Sequence, residues 1–220
     1  MNKADRIKKY SRQAAMYERN RKAHSLGQWR SRLVQSARGR VLEAAVGAGA
    51  NFPFYPKEMV DEVVAVDFSP EMLRKAKEAA KEYGIPTTFM ESDMDHLSFP
   101  PDSFDTIVST LSLCSYEDPL TVLHQFNHWC RSGGNILLME HGLSSNRLLA
   151  IAQQSLDPLI LRIEGCHHNR DIMNIVDRSD LRLKTAEHYW AGCIHLIWAE
   201  PNKKDQTDPS TLSENPNIFQ

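Results

Sequence analysis

Apolar positions along this chain fall into two alternating patterns. Short, nearly continuous apolar runs read as buried strands, and longer stretches with apolar residues three and four apart read as helices. Arg40 to Ala45 is the first strand, followed by the small residues Gly47, Ala48, Gly49 and Ala50 and then a segment able to restart as a helix. DEVVAVD, Asp61 to Asp67, predicts a second strand. Ser69-Pro70-Glu71 opens a helix, with Ser69 as N-cap and Pro70 at its first position, and Gly84 stops it. Strands follow at Pro86 to Met90 and Phe104 to Leu111, then a helix from Pro119 to Cys130, a turn at Arg131 to Gly134 and a strand from Asn135 to Glu140. Strand and helix alternating in this way predict an α/β fold with a doubly wound, mostly parallel sheet.

The rhythm differs at both ends. Residues 3 to 37 read as helix, broken near His24 to Gly27. After the fifth strand come a long helix from Ser145 to Ile163 and a shorter one from Asn169 to Val176. Leu181 to Tyr189 and Ala191 to Glu200 are two strands with almost no gap, which predicts a closing antiparallel hairpin. The expected organisation is a basic helical segment over 1–38, an α/β domain over 39–201 with a helical insertion at 144–178, and a polar, disordered tail over 202–220.

Charge changes this picture at one place. The net charge is −2, yet residues 1–40 hold twelve Lys or Arg against Asp5 and Glu18, so that segment carries +10 and the rest −12. Such a segment suits contact with an anionic membrane surface or with nucleic acid, and it equally suits a solvated helix face. No apolar run is long enough to span a bilayer, and the N-terminus has no apolar signal core, so a cytoplasmic protein is expected, with peripheral membrane contact left open. Cys114, Cys130, Cys166 and Cys193 are scattered without a C-x-x-C pair and read as reduced thiols. His167 and His168 lack a third ligand at useful spacing, and no metal is expected. The oligomeric state stays open.

Candidate chemistry sits at the strand ends, where open α/β sheets bind ligands. A glycine turn between strand and helix allows close backbone approach to a ligand. Asp67 closes the second strand, about twenty residues beyond that turn, and can accept from both hydroxyls of a ribose. Asp93 closes the third strand and can accept from an adenine amino group, with Met94 packed on the ring. Phe68 and Met72 stand where an apolar adenine wall is expected. The frame from Glu43 through Ala45 and Gly47 to Gly49 resembles motif I of class I S-adenosylmethionine (SAM) methyltransferases, with Ala45 in place of a glycine.

VLEAAVGAGANFPFYP, VVAVDFSPEML, ESDMDHLSFPPDSFDTIVSTLSLCS and CRSGGNILLMEHG, in this order, resemble the ubiquinone/menaquinone-type small-molecule methyltransferases. GANFPFYP, TLSLCSYEDP, LMEHG and GCHHNRD resemble a narrower branch of thiol and phospholipid methyltransferase relatives. The resemblance implies a Rossmann-like seven-stranded sheet with N-terminal helices as a lid, SAM as cofactor and S-adenosylhomocysteine as product. It implies a cofactor set of Tyr17, Glu43, Ala45, Gly47, Gly49, Asn51, Asp67, Phe68, Ser69, Met72, Asp93, Met94, Thr110 and Leu111, with Tyr17 closing over the ligand.

Methyl transfer from a sulfonium depends on alignment and exclusion of water more than on a strong base. A thiol, hydroxyl or ammonium acceptor must still lose a proton. His141 is the preferred base, and Cys114, Glu140, His141, His167, Asn169 and Arg170 are the candidate acceptor-site residues. The leading expectation is methyl transfer to a small, lipophilic thiol, quinol or amino-lipid under an apolar lid from Leu148 to Ile163. The alternatives are an RNA methyltransferase steered by the basic segment and a non-catalytic SAM-binding protein. Against RNA, the fourth strand ends in LSLCS and lacks the proline-aromatic tetrapeptide of many base amino-methylating enzymes.

Overall fold

The computed structural model describes residues 3–24 and 26–203; most of the tail expected at 202–220 lies outside them. Seven strands form one sheet in the order β3-β2-β1-β4-β5-β7-β6. They are β1 (Gly39–Ala44), β2 (Val60–Asp67), β3 (Thr87–Glu91), β4 (Phe104–Thr110), β5 (Cys130–His141), β6 (Arg182–Tyr189) and β7 (Ile194–Glu200). The first five pair in parallel, and β7 runs antiparallel to both β5 and β6. This is the doubly wound α/β sheet that the alternation predicts, with the seven strands and closing antiparallel hairpin that the resemblance implies.

The central strands are predominantly apolar because both faces of the sheet are covered. Alternate residues go to opposite sides. Leu42, Ala44, Val64 and Val66 join one core with Val122, Phe126 and Trp129 of α4 (Pro119–Trp129) and Ile172 and Val176 of α6 (Ile172–Arg178). Val41, Val63 and Ala65 join the other with Leu33 and Val34 of α2 (Gly27–Val34) and Leu73, Ala76 and Ala79 of α3 (Pro70–Tyr83). Helix α3 begins as expected: the Ser69 hydroxyl accepts from Met72 N, and Gly84 ends the helix at φ 64°.

Three local expectations are corrected. After the glycine turn the chain makes only a 3-10 turn, Phe52–Phe54, rather than a helix. Pro53 sits in that turn and Pro56 follows it, and proline removes the donors a longer helix would need. Residues 131–134 are not a turn before the fifth strand but part of β5, which pairs from Cys130 with a register shift, Gly133 taking φ 71°. The hairpin strands are separated by residues 190–193, where Trp190, Ala191 and Gly192 all have positive φ.

Helix α1 (Lys3–Lys22) lies across the body, packed on α3. Arg21, almost fully buried, pairs with Glu82 at 2.8 Å, and Lys75 reaches Glu18 at 2.6 Å. Lys9 Nζ donates to the carbonyls of Leu161 and Arg162 at the end of α5 (Arg147–Ile163). Helix α5 turns Asp157 inward and leaves Leu148, Ile151, Leu156, Leu159 and Ile163 more than half exposed. That outward apolar stripe corrects the expectation of a lid whose apolar face covers an acceptor. Among the described residues no helix is long and apolar enough to cross a membrane.

Candidate active site

The carboxyl ends of β1, β2 and β4 open into one cavity of about 90 Å³. Its wall includes Ala45, Gly47, Asp67, Phe68, Met72, Thr110, Leu111 and Ser112, with Tyr10, Tyr17 and Arg30 closing it from the N-terminal helices. A smaller cavity beside it is lined by Arg6, Ala45, Asp67, Phe68, Asp93, Met94 and Tyr116. Most of the expected cofactor residues therefore meet in two adjoining spaces that share Ala45, Asp67 and Phe68.

Asp67 ties the loops together. Its carboxylate accepts from Gly47 N at 2.9 Å and from Ser69 N at 2.8 Å. Each oxygen keeps a lone pair for a further donor. Burial raises Asp67 to about 6 in spite of those two bonds. Ala45 and Leu111, both on the cavity wall, hold φ values of 53° and 55°. Non-glycine residues seldom adopt this conformation, and such strain gathers at ligand sites. Ala45 occupies the position where the motif ordinarily has glycine, which the backbone there explains.

The two loop glycines do different work. A Cβ on Gly47 would meet no protein atom within 4 Å, so its side faces the cavity. A Cβ on Gly49 would lie 2.5 Å from the Phe52 ring and 2.9 Å from Ala79 Cβ. Gly49 is thus a packing glycine under α3, which corrects its expected cofactor contact. Gly47→Ala should lower the melting temperature only by the backbone strain of alanine at φ 56° and lose S-adenosylhomocysteine affinity, whereas Gly49→Val should lower it further by forcing Phe52 out of the core. Thermal melts with and without ligand separate the two, and a Gly49→Val protein of unchanged stability would refute the packing role.

Other expected residues lie beneath the cavity rather than on it. Glu43 is buried and accepts from Asn51 Nδ2 and Tyr55 OH, each at 2.9 Å. Burial raises it to about 7. Asn51 Oδ1 and Thr110 Oγ1 in turn accept from Arg30 Nη1 at 2.8 and 3.0 Å. Burial brings Arg30 down to about 10, so it stays charged at neutral pH. Glu43 and Asn51 therefore position Arg30, a cavity residue that the sequence pattern does not single out. Ser69 is fully buried as the helix cap, and its hydroxyl lies 3.1 Å from that of Ser11 in α1.

Arg6 is a second residue that sequence reasoning missed. Its Nη2 donates to Asp93 Oδ2 at 2.6 Å, both side chains are buried, and the guanidinium lies 5.6 Å from the Phe68 ring centre. It occupies the space expected to take adenine. Tyr10 packs edge-on to Phe68 at 5.3 Å and lies 6.5 Å from Tyr17, as their seven-residue spacing on one helix face implies. The combined free space is far below the roughly 300–1,000 Å³ of pockets that hold ligands of nucleoside size. A nucleoside placed as expected would require Arg6 to leave Asp93. Arg6→Ala should therefore raise S-adenosylhomocysteine affinity about fivefold or more, while lowering the ligand-free melting temperature because Asp93 is left buried and unpaired. Calorimetry and melting curves test both; weaker binding would show that Arg6 helps hold the ligand.

The expected acceptor residues divide. Glu140 is fully buried: it accepts from Ser112 N at 2.9 Å, Leu113 N at 3.1 Å and Ser109 Oγ at 3.0 Å, and burial raises it to about 8. It clamps the loop after β4 and is closed to an acceptor. Arg170 is likewise committed, donating to the carbonyls of Leu113 and Tyr116 at 2.6 Å. His167 Nδ1 lies 2.8 Å from Asp157 Oδ2, and its backbone N donates to Cys114 O at 3.0 Å. Asn169 is half-buried in the same loop. His141, at the end of β5, packs on His168 at 4.3 Å between ring centres and is not on the cavity wall. Beside it, the neighbouring Cys114, His141 and His168 side chains draw the Cys166 thiol well below the usual range, while Cys114 is raised.

A methyltransferase domain model matches residues 41–134, the stretch from β1 into β5. The chain is 32% identical over 125 residues to a phosphatidylethanolamine N-methyltransferase of Cereibacter sphaeroides, covering 56% of this chain and 61% of that protein. It is 30% identical over 141 residues to a ubiquinone/menaquinone biosynthesis C-methyltransferase of Bdellovibrio bacteriovorus, covering 60% of each. Among solved structures, a geranyl diphosphate methyltransferase in complex with SAM superposes with a TM-score of 0.67 at 14% identity, covering 84% of this chain and 90% of that one. The chain thus spans about 60% of the length of these two curated relatives. The fold, the glycine loop and these matches support a class I SAM-dependent methyltransferase, a family whose cofactor is SAM.

Proposed function

We propose that this protein transfers a methyl group from SAM to a small, lipophilic acceptor, with α1 as the cover of the cofactor site. The observation that carries the reading is the cavity at the strand ends, in which Asp67 and Gly47 face Tyr10 and Tyr17. When bound, SAM supplies an electrophilic methyl on a sulfonium. Asp67 would accept from its ribose hydroxyls, Gly47 leaves room for the amino-acid end, and Phe68 and Met72 form the apolar adenine wall. Asp93 would accept from the adenine amino group once Arg6 withdraws. Tyr10 and Tyr17 exclude water, which strengthens every electrostatic contact inside. His141 lies off the cavity wall against Cys166 and His168, so the proton path of this reading does not run through it.

Two features support a lipophilic acceptor over RNA. Arg6, Lys9, Arg21 and Lys22 of the basic segment have partners within the chain. The exposed apolar stripe of α5, with Arg147 and Arg162 at its ends, is of the kind that rests on an anionic lipid surface. The test is incubation with methyl-labelled SAM against hydrophobic thiols, quinols, amino-lipids in anionic vesicles, and ribosomal RNA. Label is expected in a lipophilic small molecule. Labelled RNA, with binding that weakens steeply as salt rises, would replace this reading with the nucleic-acid one, and binding of SAM without turnover on any acceptor would favour a non-catalytic protein.

A further inference from the structure

Outside the cofactor cavity, three metal-ligating side chains converge from three separate elements. Cys114 comes from the loop after β4, His141 from the end of β5 and Cys166 from the loop after α5. One ligand atom from each lies within 4.8 Å of the other two. We propose that Cys114, His141 and Cys166 form a binding site for a borderline-soft divalent cation, Zn²⁺, with the fourth coordination position left to an exchangeable ligand.

The donor set selects the metal class. Two thiolates and an imidazole suit zinc, whereas calcium and magnesium take oxygen ligands. Zinc–sulfur and zinc–nitrogen bonds of about 2.3 and 2.0–2.1 Å put tetrahedral ligand atoms roughly 3.3–3.8 Å apart. Three atoms already within 4.8 Å need only a modest contraction. A disulfide between the two cysteines would leave the convergence of His141 on the same point without a role.

The surrounding bonds hold the three elements in place. His167 N donates to Cys114 O at 3.0 Å, and Arg170 donates to the carbonyls of Leu113 and Tyr116 on either side of Cys114. Asp157, on the buried side of α5, accepts from His168 N at 2.9 Å and contacts the His167 ring at 2.8 Å. His168 packs on His141 at a tilt of 49°, with ring centres 4.3 Å apart, and is held by Glu164 at 2.9 Å, which limits the motion of the His141 imidazole. These contacts fasten the Cys166 loop to the Cys114 loop before any ion arrives, which lowers the ordering cost of binding. Glu164, Cys166 and His168 form a second, more exposed triad sharing Cys166. Glu164 is exposed and the acid oxygen suits zinc less well than sulfur, so the inner triad is the site proposed.

The test uses the full chain without an affinity tag, reduced, freed of metal with a chelator and kept anaerobic. Titration with Zn²⁺ against a chromophoric chelator should show one-to-one binding. Titration with Co²⁺ should give sulfur-to-cobalt charge-transfer absorption and the intense visible bands of a tetrahedral ion, a readout that needs neither a variant nor turnover. Cys166→Ser should weaken Zn²⁺ binding at least about 100-fold and reduce the charge-transfer intensity by about half, and His141→Ala should weaken it at least about tenfold. Cys193→Ser should change neither. Cys166 is partly exposed, so its variant is expected to fold, and retained S-adenosylhomocysteine binding confirms that it has. The proposal is overturned if the reduced wild-type chain does not compete with the chelator, if its cobalt spectrum is octahedral without charge transfer, or if Cys166→Ser binds and absorbs like wild type.

Discussion

Asp67→Ala is expected to weaken S-adenosylhomocysteine binding more than about tenfold, because a charge-assisted hydrogen bond is worth roughly 1.5–3 kcal/mol. The loss has two sources. On the proposed reading the ribose hydroxyls lose their acceptor, and in the structure Gly47 N and Ser69 N lose theirs, so the loop itself relaxes. The pH dependence identifies the charged form as the partner. Burial raises Asp67 to about 6 in the ligand-free protein. Affinity should be flat above that pH and should fall below it, approaching about tenfold per pH unit as the carboxylate is protonated. Asp67→Asn should bind weakly at every pH. Calorimetry from pH 5 to 8 checks this, and wild-type affinity that does not change over the range would remove Asp67 from ribose binding.

Glu140→Ala is expected to cost about 3 kcal/mol of stability or more, while Glu140→Gln costs little at neutral pH. The alanine leaves Ser112 N and Leu113 N buried without an acceptor, at roughly 1–3 kcal/mol each. Glutamine can accept from those amides with its oxygen and donate to the Ser109 hydroxyl with its nitrogen, as a protonated Glu140 would. The sign of the pH effect follows from its direction. Burial raises folded Glu140 from an ordinary value near 4.5 to about 8. Its contribution is fully present below the unfolded value and is lost as pH rises through the folded one. Glu43 and Asp67 are also raised, to about 7 and about 6, and act in the same direction. Ligand-free stability should therefore decline between about pH 4 and pH 8, and Glu140→Gln should flatten part of that decline. Denaturant titrations across this range measure it. Equal stability of the alanine and glutamine variants would show that the clamp does not hold the loop. Because the clamped loop carries Leu111, Ser112 and Ser115 of the cavity wall, the alanine should also lose S-adenosylhomocysteine affinity.

The two effects of pH run in opposite senses, which makes them separable. Raising pH from 5 to 7 strengthens the cofactor contact of Asp67 and weakens the apo fold. The melting-temperature gain from saturating ligand should therefore grow over that interval.

Much of the site's floor plan was legible before the fold was known. Strand runs, the Ser69 cap, Gly84 and the acid at the end of DEVVAVD are local features, each written in a few consecutive residues. They place Asp67, Phe68 and Met72 beside the glycine loop whatever else the chain does. The roles of Glu43, Asn51 and Gly49 were not legible in the same way. Motif spacing puts all of them near the cofactor loop, but whether a side chain points into the cavity or under it depends on what α3 and α2 bring against it. Gly49 faces Ala79 and Phe52, and Asn51 faces Arg30.

The sequence by itself determined the class of fold and the strand ends at which a cofactor would lie, because hydrophobic period and turn chemistry act over a few residues. Tertiary structure alone decided which polar groups meet. Arg6 is 87 residues from Asp93, and Glu140 is 28 residues from the Ser112 amide it clamps. Cys114, His141 and Cys166 likewise come from three elements. Nothing in local periodicity distinguishes these side chains from solvated neighbours. Their pairing arises only when parallel strands stack their carboxyl ends along one edge and the helices close over it. There, burial makes an unpaired charge or amide costly enough that each must find a partner.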